Sequence, residues 1–311
     1  MGLQDLKDRI CGVVIAMITP CNADQSLDAG GMRADVAHAV EAGIANGRGV
    51  LLICGGGGEL PFLTVEERAA AVQAAAEAAA GRVPILAGLQ DNGTALSVDI
   101  ARRLQDAGAD ALQVGPPCFY GHSPIDDTER YYAALAAAVH IGLVAYNTWW
   151  TTTALSPADL VRLSAIEELV AVKWSAADSV EYQRGYRLCA ERYAMIDNQE
   201  MFALACTLGA RGFISGTGDF WPEYDLQRLD LVLAGRYEEA EQLTRRLAWP
   251  YYQFRGRVGA RTGGEASVKK AAAELVGLAG GPPRSPTRPL TEDERAELRE
   301  ILQAGGTPGL R

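Results

Sequence analysis

Short apolar runs, many of them β-branched, alternate with longer Ala- and Leu-rich amphipathic segments through the first two thirds of the chain. Eight runs stand out: CGVVIAMITP from Cys11, GVLLICG from Gly49, VPILAGL from Val83, ALQVGP from Ala111, GLVAYN from Gly142, LVAVKW from Leu169, YAMIDN from Tyr193 and GFISGTG from Gly212. Strand-length runs separated by helical periodicity read as repeated βα units on a parallel sheet. Eight strands are the number that closes a (β/α)8 (TIM) barrel, so the expected fold class is α/β. A doubly wound open sheet fits less well, because it usually carries a glycine fingerprint after its first strand.

Helix boundaries fall between the runs. Thr64 with Glu67 forms a capping box, Ser156-Pro157 gives an N-cap followed by proline at the first helical position, and AGAD from Ala107 ends a helix before the fourth strand. Past Gly235 the alternation stops. The pattern there predicts helix over 236–252, helix over about 264–278, a Pro-rich link GPPRSPTRPL, and a last helix over 291–303. The expected organisation is a barrel domain over 1–235 and a C-terminal helical appendage over 236–311.

Composition narrows the class. The 311 residues, 48% hydrophobic and 22% charged, suffice for one large core. No apolar stretch has the length of a membrane span; the Ala-rich piece from Ala69 to Ala80 is broken by Gln73 and Glu77. A net charge of −10, with arginines scattered along helices, argues against nucleic acid or an anionic membrane and for a small-molecule partner. The six cysteines have no CxxC or framework spacing and the amino terminus has no apolar signal region, which predicts a reducing cytoplasm. Three histidines, His38, His122 and His140, are too few for a ligand set at the strand ends, and no metal is expected.

In a barrel the chemistry sits at the carboxyl ends of the strands, and two residues there carry it. Lys173 ends the sixth run behind four apolar residues and ahead of a tryptophan. Desolvation disfavours an ammonium, and a free amine is what a carbinolamine-forming nucleophile needs. The competing reading pairs Lys173 with a buried acid such as Asp197 or Glu59. Tyr146, ending the preceding strand, could move protons beside such a nucleophile, or could be an amphipathic residue of the barrel rim. After the second run come four glycines, Gly55 to Gly58. They exclude a dinucleotide fingerprint and a phosphate loop, and leave either φ > 0, close approach of another group, or a nest of N–H groups for a small anion.

Taken together, ITP ending the first strand, the GxxGE turn from Gly55, YN ending the fifth, the apolar-flanked Lys173 and GFIS in the eighth resemble the dihydrodipicolinate synthase and N-acetylneuraminate lyase family. The resemblance is close from Cys11 to Trp221 and looser in the tail. It implies a class I aldolase-type mechanism with no cofactor beyond a covalent imine on Lys173, a 2-keto acid such as pyruvate as ligand, Tyr146 as catalytic tyrosine, and a homo-oligomer, tetramer or dimer. It also implies that Gly56 and Gly57 receive the keto-acid carboxylate, with Ile214 contributing from the eighth strand. Departures accompany it. Hydroxyl residues common at positions 56 and 57 are glycine here, and Thr151 stands near the place of a substrate-gripping arginine. A second tyrosine, lent across a subunit interface in such proteins, corresponds to Tyr120 only after a shift of register. Trp149 and Trp150 follow Tyr146, one expected against substrate and the other against the helix layer or a neighbouring subunit. Asp219 in the last loop is expected to repel phosphate. The expected activity is therefore a lyase or dehydratase acting on an unphosphorylated 2-keto acid; alternatives are a synthase-type condensation and a non-catalytic keto-acid-binding relative.

Overall fold

The computed structural model describes residues 2–118, 121–150 and 153–311. A short helix α1 (Leu3–Arg9) precedes eight parallel strands, β1 (Gly12–Ala16), β2 (Gly49–Ile53), β3 (Ile85–Leu89), β4 (Ala111–Val114), β5 (Gly142–Tyr146), β6 (Leu169–Trp174), β7 (Ala194–Asp197) and β8 (Gly212–Ser215). Each pairs with its sequence neighbours, and β8 returns to β1, so the sheet closes on itself as an eight-stranded barrel. The helices between and after the strands are α2 (Ala29–Glu41), α3 (Val65–Ala79), α4 (Thr94–Asp106), α5 (Ile125–Ala136), α6 (Pro157–Leu163), α7 (Ser179–Cys189), α8 (Phe202–Thr207) and α9 (Pro222–Leu233). Thr64 and Glu67 form the capping box read from their spacing, and Ser156, read as an N-cap, forms a second box with Asp159.

Alternation along each strand divides the core into two layers. Val13, Ile15, Leu51, Ile53 and Val172 face outward and pack with the surrounding helices. Val14, Val50, Leu52, Leu86, Val144 and Ile196 face inward and fill the barrel. Leu6 and Ile10, from α1 and its end, join the inner layer. The sequence pattern did not signal α1, whose seven residues carry only a partial apolar stripe.

The register between β5 and β6 is irregular, and the irregularity positions chemistry. Leu143 pairs with Leu169, but Val144 pairs with Ala171, so β6 holds one extra residue. Without that slip Tyr146 would stand opposite Val172. With it, Tyr146 stands opposite Lys173. Bulges of this kind re-aim side chains beside active sites.

The appendage consists of α10 (Tyr237–Leu243), a π-helical turn over Thr244–Ala248, α11 (Trp249–Thr262), α12 (Ala266–Leu275) and α13 (Glu292–Gly305). The first of these helical segments runs ten residues past the expected end at 252. Pro250 does not stop it; it is the second residue of α11 and follows directly on the π-helical turn, where the regular hydrogen-bond ladder is already interrupted. Leu247, Tyr251, Phe254, Val268 and Leu298 build a third core that includes Phe220 and Tyr224 beside the barrel.

Candidate active site

Lys173 and Tyr146 are held by the residue between their strands. Asn147, buried to 1% exposure, donates from its backbone N–H to the Lys173 carbonyl at 3.0 Å and from its side chain to the carbonyls of Ser175 and Leu155 at 3.0 and 3.3 Å. Its side-chain oxygen accepts from the Leu155 N–H at 2.7 Å, and its own carbonyl accepts from the Ser175 hydroxyl at 2.7 Å. The ends of β5 and β6 are thus tied to each other and to the following loop.

Lys173 projects inward at 8% exposure, with its Nζ 4.5 Å from the centroid of the Tyr146 ring. No described residue hydrogen-bonds or ion-pairs with its amine. Burial pulls its pKa down from 10.5 to about 8; Lys269 and Arg255 add to the fall and Glu265 opposes it. Neither acid considered as a structural partner plays that part. Asp197 accepts from the Tyr182 hydroxyl at 2.6 Å and from the N–H groups of Gln199 and Met201. Glu59 pairs with Lys270 at 2.6 Å and accepts from the Arg284 N–H at 2.7 Å.

The glycine turn works by close approach. The left-handed residues are its flanks, Cys54 and Glu59, at φ 53° and 58°, and none of Gly55 to Gly58 has positive φ. A Cβ on Gly57 would stand 2.6 Å from Glu265 Oε1 and 2.6 Å from Lys269 Nζ, whereas one on Gly56 would meet nothing within 4 Å. No described residue accepts a backbone hydrogen bond from Gly56 or Gly57, while the N–H groups of Gly58 and Glu59 close the turn onto the carbonyls of Gly55 and Gly56. Two N–H groups are left for an anion.

Side chains of the C-terminal helices enter this end of the barrel. Lys269, 1% exposed, pairs with Asp219 at 2.8 Å and donates to the Ala16 carbonyl at 2.5 Å. Arg255 pairs with Glu265 at 3.0 Å and stacks over the Tyr252 ring at 4.6 Å. A Cβ on Gly216, after β8, would stand 2.4 Å from the Arg255 guanidinium, so glycine there admits the arginine. Burial works against the Glu265 charge, but Arg255, Lys269 and Lys173 outweigh it and hold that carboxyl below its ordinary range. A cavity of about 450 Å³ opens here, lined by Gly56, Gln90, Cys118, Tyr146, Glu265 and Thr287 among others.

Other expected site residues are placed as follows. Ile214 is half-buried, paired with Val14 across β1 and packed on the inner core. Trp149 and Trp150 are both exposed on this chain and meet edge to face at 4.5 Å, so neither packs against the helix layer. Tyr120 and Thr151 lie outside the described residues. The expected repulsion of phosphate by Asp219 does not hold, because Lys269 balances that charge. The loop is unsuited to phosphate for another reason: the N–H groups of Thr217 and Gly218 already donate to Ser215 Oγ at 3.1 and 2.7 Å. Arg255, Glu265 and Lys269 were not singled out from sequence as site residues. Their only local signal is an acid four residues before a lysine in an Ala-rich helix.

The family model for the dihydrodipicolinate synthetase family matches residues 9–305. The chain belongs to this family. Its relatives include a 4-hydroxy-tetrahydrodipicolinate synthase of Methanothrix thermoacetophila, 30% identical over 94% of this chain and 95% of the relative. An N-acetylneuraminate lyase of Rhizobium meliloti is 28% identical over 94% of each chain. Among solved structures, a dihydrodipicolinate synthase of Acinetobacter baumannii in complex with pyruvate superposes with a TM-score of 0.84 at 26% identity, covering 96% of this chain and 99% of that one. Family membership extends over the appendage as well as the barrel, which the resemblance read from sequence covered only loosely. Among the described residues no helix is long and apolar enough to cross a membrane.

Proposed function

We propose that this chain is a lyase, an aldolase or dehydratase in type, that holds an unphosphorylated 2-keto acid such as pyruvate as an imine on Lys173. The observation that carries the reading is the Lys173 amine, buried, without a charged partner among the described residues and with its pKa brought down to about 8, against the face of Tyr146. At that value about a tenth of the lysine is free amine at pH 7, against roughly one part in three thousand for an ordinary lysine. The amine attacks the keto carbon, water leaves, and the iminium draws electrons from the adjacent bond that is made or broken. The Tyr146 phenol carries protons at this centre, and the free N–H groups of Gly56 and Gly57, with the Ile214 position, receive the keto-acid carboxylate. In this reading the enzyme needs no cofactor, is cytoplasmic, and acts as a homo-oligomer in which Tyr120 of a neighbouring copy could complete the proton path; Thr151 and Trp149 face the body of the substrate.

The test is reduction with borohydride in the presence of a panel of 2-keto acids, followed by intact mass and peptide mapping. One covalent equivalent at Lys173 is expected. An adduct elsewhere, or none with any keto acid, overturns the proposal and leaves a non-catalytic binder. The synthase named among the relatives favours a second reading, condensation of pyruvate with aspartate semialdehyde. A coupled assay should show that reaction to be slow, since Thr151 cannot grip a second carboxylate bidentately as an arginine does. Efficient condensation would establish the second reading instead.

A further inference from the structure

Lys270, on α12, touches a cysteine from the loop after β1. Its Nζ donates to Glu59 Oε2 at 2.6 Å, to the Pro282 carbonyl at 2.9 Å and to the Cys21 Sγ at 3.3 Å. The third acceptor is a poor one, since a thiol sulfur takes hydrogen bonds weakly. The link that follows α12 presses the two residues together. The Cys21 N–H donates to the Gly280 carbonyl at 3.1 Å, and a Cβ on Gly281, at φ 74°, would stand 1.9 Å from the Cys21 carbonyl oxygen. Arg284 arrives by the same link, and its backbone N–H donates to Glu59 Oε1 at 2.7 Å, so Glu59 is shared between Arg284 and Lys270. The Arg284 side chain is buried beside the Cys21 sulfur, and its Nε has no hydrogen-bond acceptor. Two buried donors thus adjoin one sulfur, and an oxygen atom bound to that sulfur would offer both a better acceptor.

Cys21 differs in this from the other buried thiols. Burial pushes Cys54 up to about 12 and Cys189 up to about 11, and the Cys189 sulfur has the Pro157 carbonyl at 3.9 Å where Cys21 has an amine. Cys21 is 6% exposed and Lys270 1%, so the cysteine of the pair is the member that meets solvent, through an opening that favours a small oxidant.

We propose that Cys21 and Lys270 form a redox-modification site, at which a hydroperoxide oxidises the thiol and the adjacent amine captures it as a reversible S–N cross-link, a sulfenamide. The sulfur attacks one oxygen of hydrogen peroxide; the S–O bond forms, the O–O bond breaks, and the other oxygen leaves as water with the thiol proton. Sulfur is oxidised by two electrons and the peroxide is reduced by two. The Lys270 ammonium passes a proton to Glu59, its partner at 2.6 Å, and the freed lone pair attacks the sulfenic sulfur. The S–N bond forms, the S–O bond breaks, and hydroxide departs as water with a second proton from the nitrogen. In sum the thiol, the ammonium–carboxylate pair and one peroxide become the S–NH link, a neutral Glu59 and two waters, with hydrogens and charge conserved. The buried ion pair is discharged as a whole, so neither charge is left without its partner. Capture by the amine also stops the sulfur short of the irreversible sulfinic stage. The bond spans 249 positions and ties the appendage to the barrel, a restraint on the unfolded chain of the kind a disulfide imposes. Lys173 takes no part, so the outcome is independent of the imine reading.

The test exposes the full chain to a modest excess of hydrogen peroxide and follows intact mass, a tryptic map made without reductant, and thermal unfolding, in the parent protein, Cys21→Ser and Lys270→Arg. The parent is expected to lose two hydrogens, to yield the Cys21 and Lys270 peptides joined with no cleavage after Lys270, and to melt at a higher temperature than its reduced form. Dithiothreitol should reverse all three changes. Cys21→Ser keeps the Lys270–Glu59 pair and should show none of them. Lys270→Arg keeps a cation beside Glu59 but no nucleophilic amine, so its Cys21 should run on to sulfinic acid, which dithiothreitol does not reverse. Should arginine fail to fit there, the parent map and Cys21→Ser decide the matter. Oxygen added to Cys21 of the parent without the joined peptides, the same mass loss mapped to a disulfide, or an unreactive Cys21 overturns the proposal.

Discussion

Gly56 and Gly57 are neighbours of the same type, and the structure assigns them opposite tolerance. Gly57→Ala places a methyl group 2.6 Å from both Glu265 Oε1 and Lys269 Nζ, against an ordinary separation of about 3.5 Å, so each must retreat by nearly 1 Å. Neither is loose. Lys269 is fixed by Asp219 and the Ala16 carbonyl, its Cδ would itself lie 3.2 Å from the new methyl, and Glu265 is held by Arg255. Overpacking of this kind costs about 1–3 kcal/mol. Backbone strain adds nothing, since φ at Gly57 is not in the left-handed region. Gly56→Ala meets open space and is expected to be neutral, or more stable by about 0.4–1 kcal/mol through the unfolded chain. Urea unfolding of both variants, with pyruvate trapping as the activity measure, separates them. Adding Glu265→Ala to Gly57→Ala removes one of the two close contacts and should return part of the lost stability, a coupling a double-mutant cycle reads directly. Equal stability and equal trapping in Gly56→Ala and Gly57→Ala would refute the placement of the two tail side chains over the turn.

Other perturbations have outcomes of comparable definition. Tyr146→Phe keeps the ring under Lys173 and removes the hydroxyl, so turnover should fall by about 10²- to 10⁴-fold with little change in Tm, measured by steady-state kinetics and calorimetry. Lys269→Met leaves Asp219 buried and unpaired, at an expected cost of about 3–5 kcal/mol; adding Asp219→Asn should recover most of it in chemical denaturation. Asp35, on α2, accepts from the Ala279 N–H at 3.0 Å, and burial, aided by Asp219 and Asp28, lifts its pKa to about 7. The folded protein keeps that proton up to about pH 7 and the unfolded chain only to about 3.9, so the stability it brings is full below about pH 4 and lost as pH rises to 7. Asp35→Asn should therefore stabilise the protein at pH 8, by at most about 4 kcal/mol, and change little at pH 4; equal effects at both pH values would count against the buried acid.

What was legible in the sequence was whatever repeats locally. The eight strands announced themselves as short apolar runs between helical segments, and Lys173 and Tyr146 through their places at run ends. The two-residue pairing that brings them together was not legible, because it depends on a one-residue slip between β5 and β6 that no pattern in either strand marks. The four glycines were conspicuous, yet which of them matters is decided by Glu265 and Lys269, more than two hundred positions away. Nothing local in the helix expected over about 264–278 marks Lys269 and Lys270 as core residues. They are instead among the most buried side chains of the molecule, each opposite an acid from a barrel loop, Asp219 and Glu59. A helix rich in alanine offers its lysines no local reason to be inside.

Those two buried pairs bear on how such chains can be recombined. The change of pattern at Gly235 looks like a seam at which one relative's tail could be joined to another's barrel, but four charges are matched across it. A hybrid that inherits the acids without the lysines, or the lysines without the acids, carries uncompensated buried charge. Inheritance across this seam is therefore linked: the tail travels with the loops it neutralises, and a change in Lys269 or Lys270 calls for a compensating change far upstream.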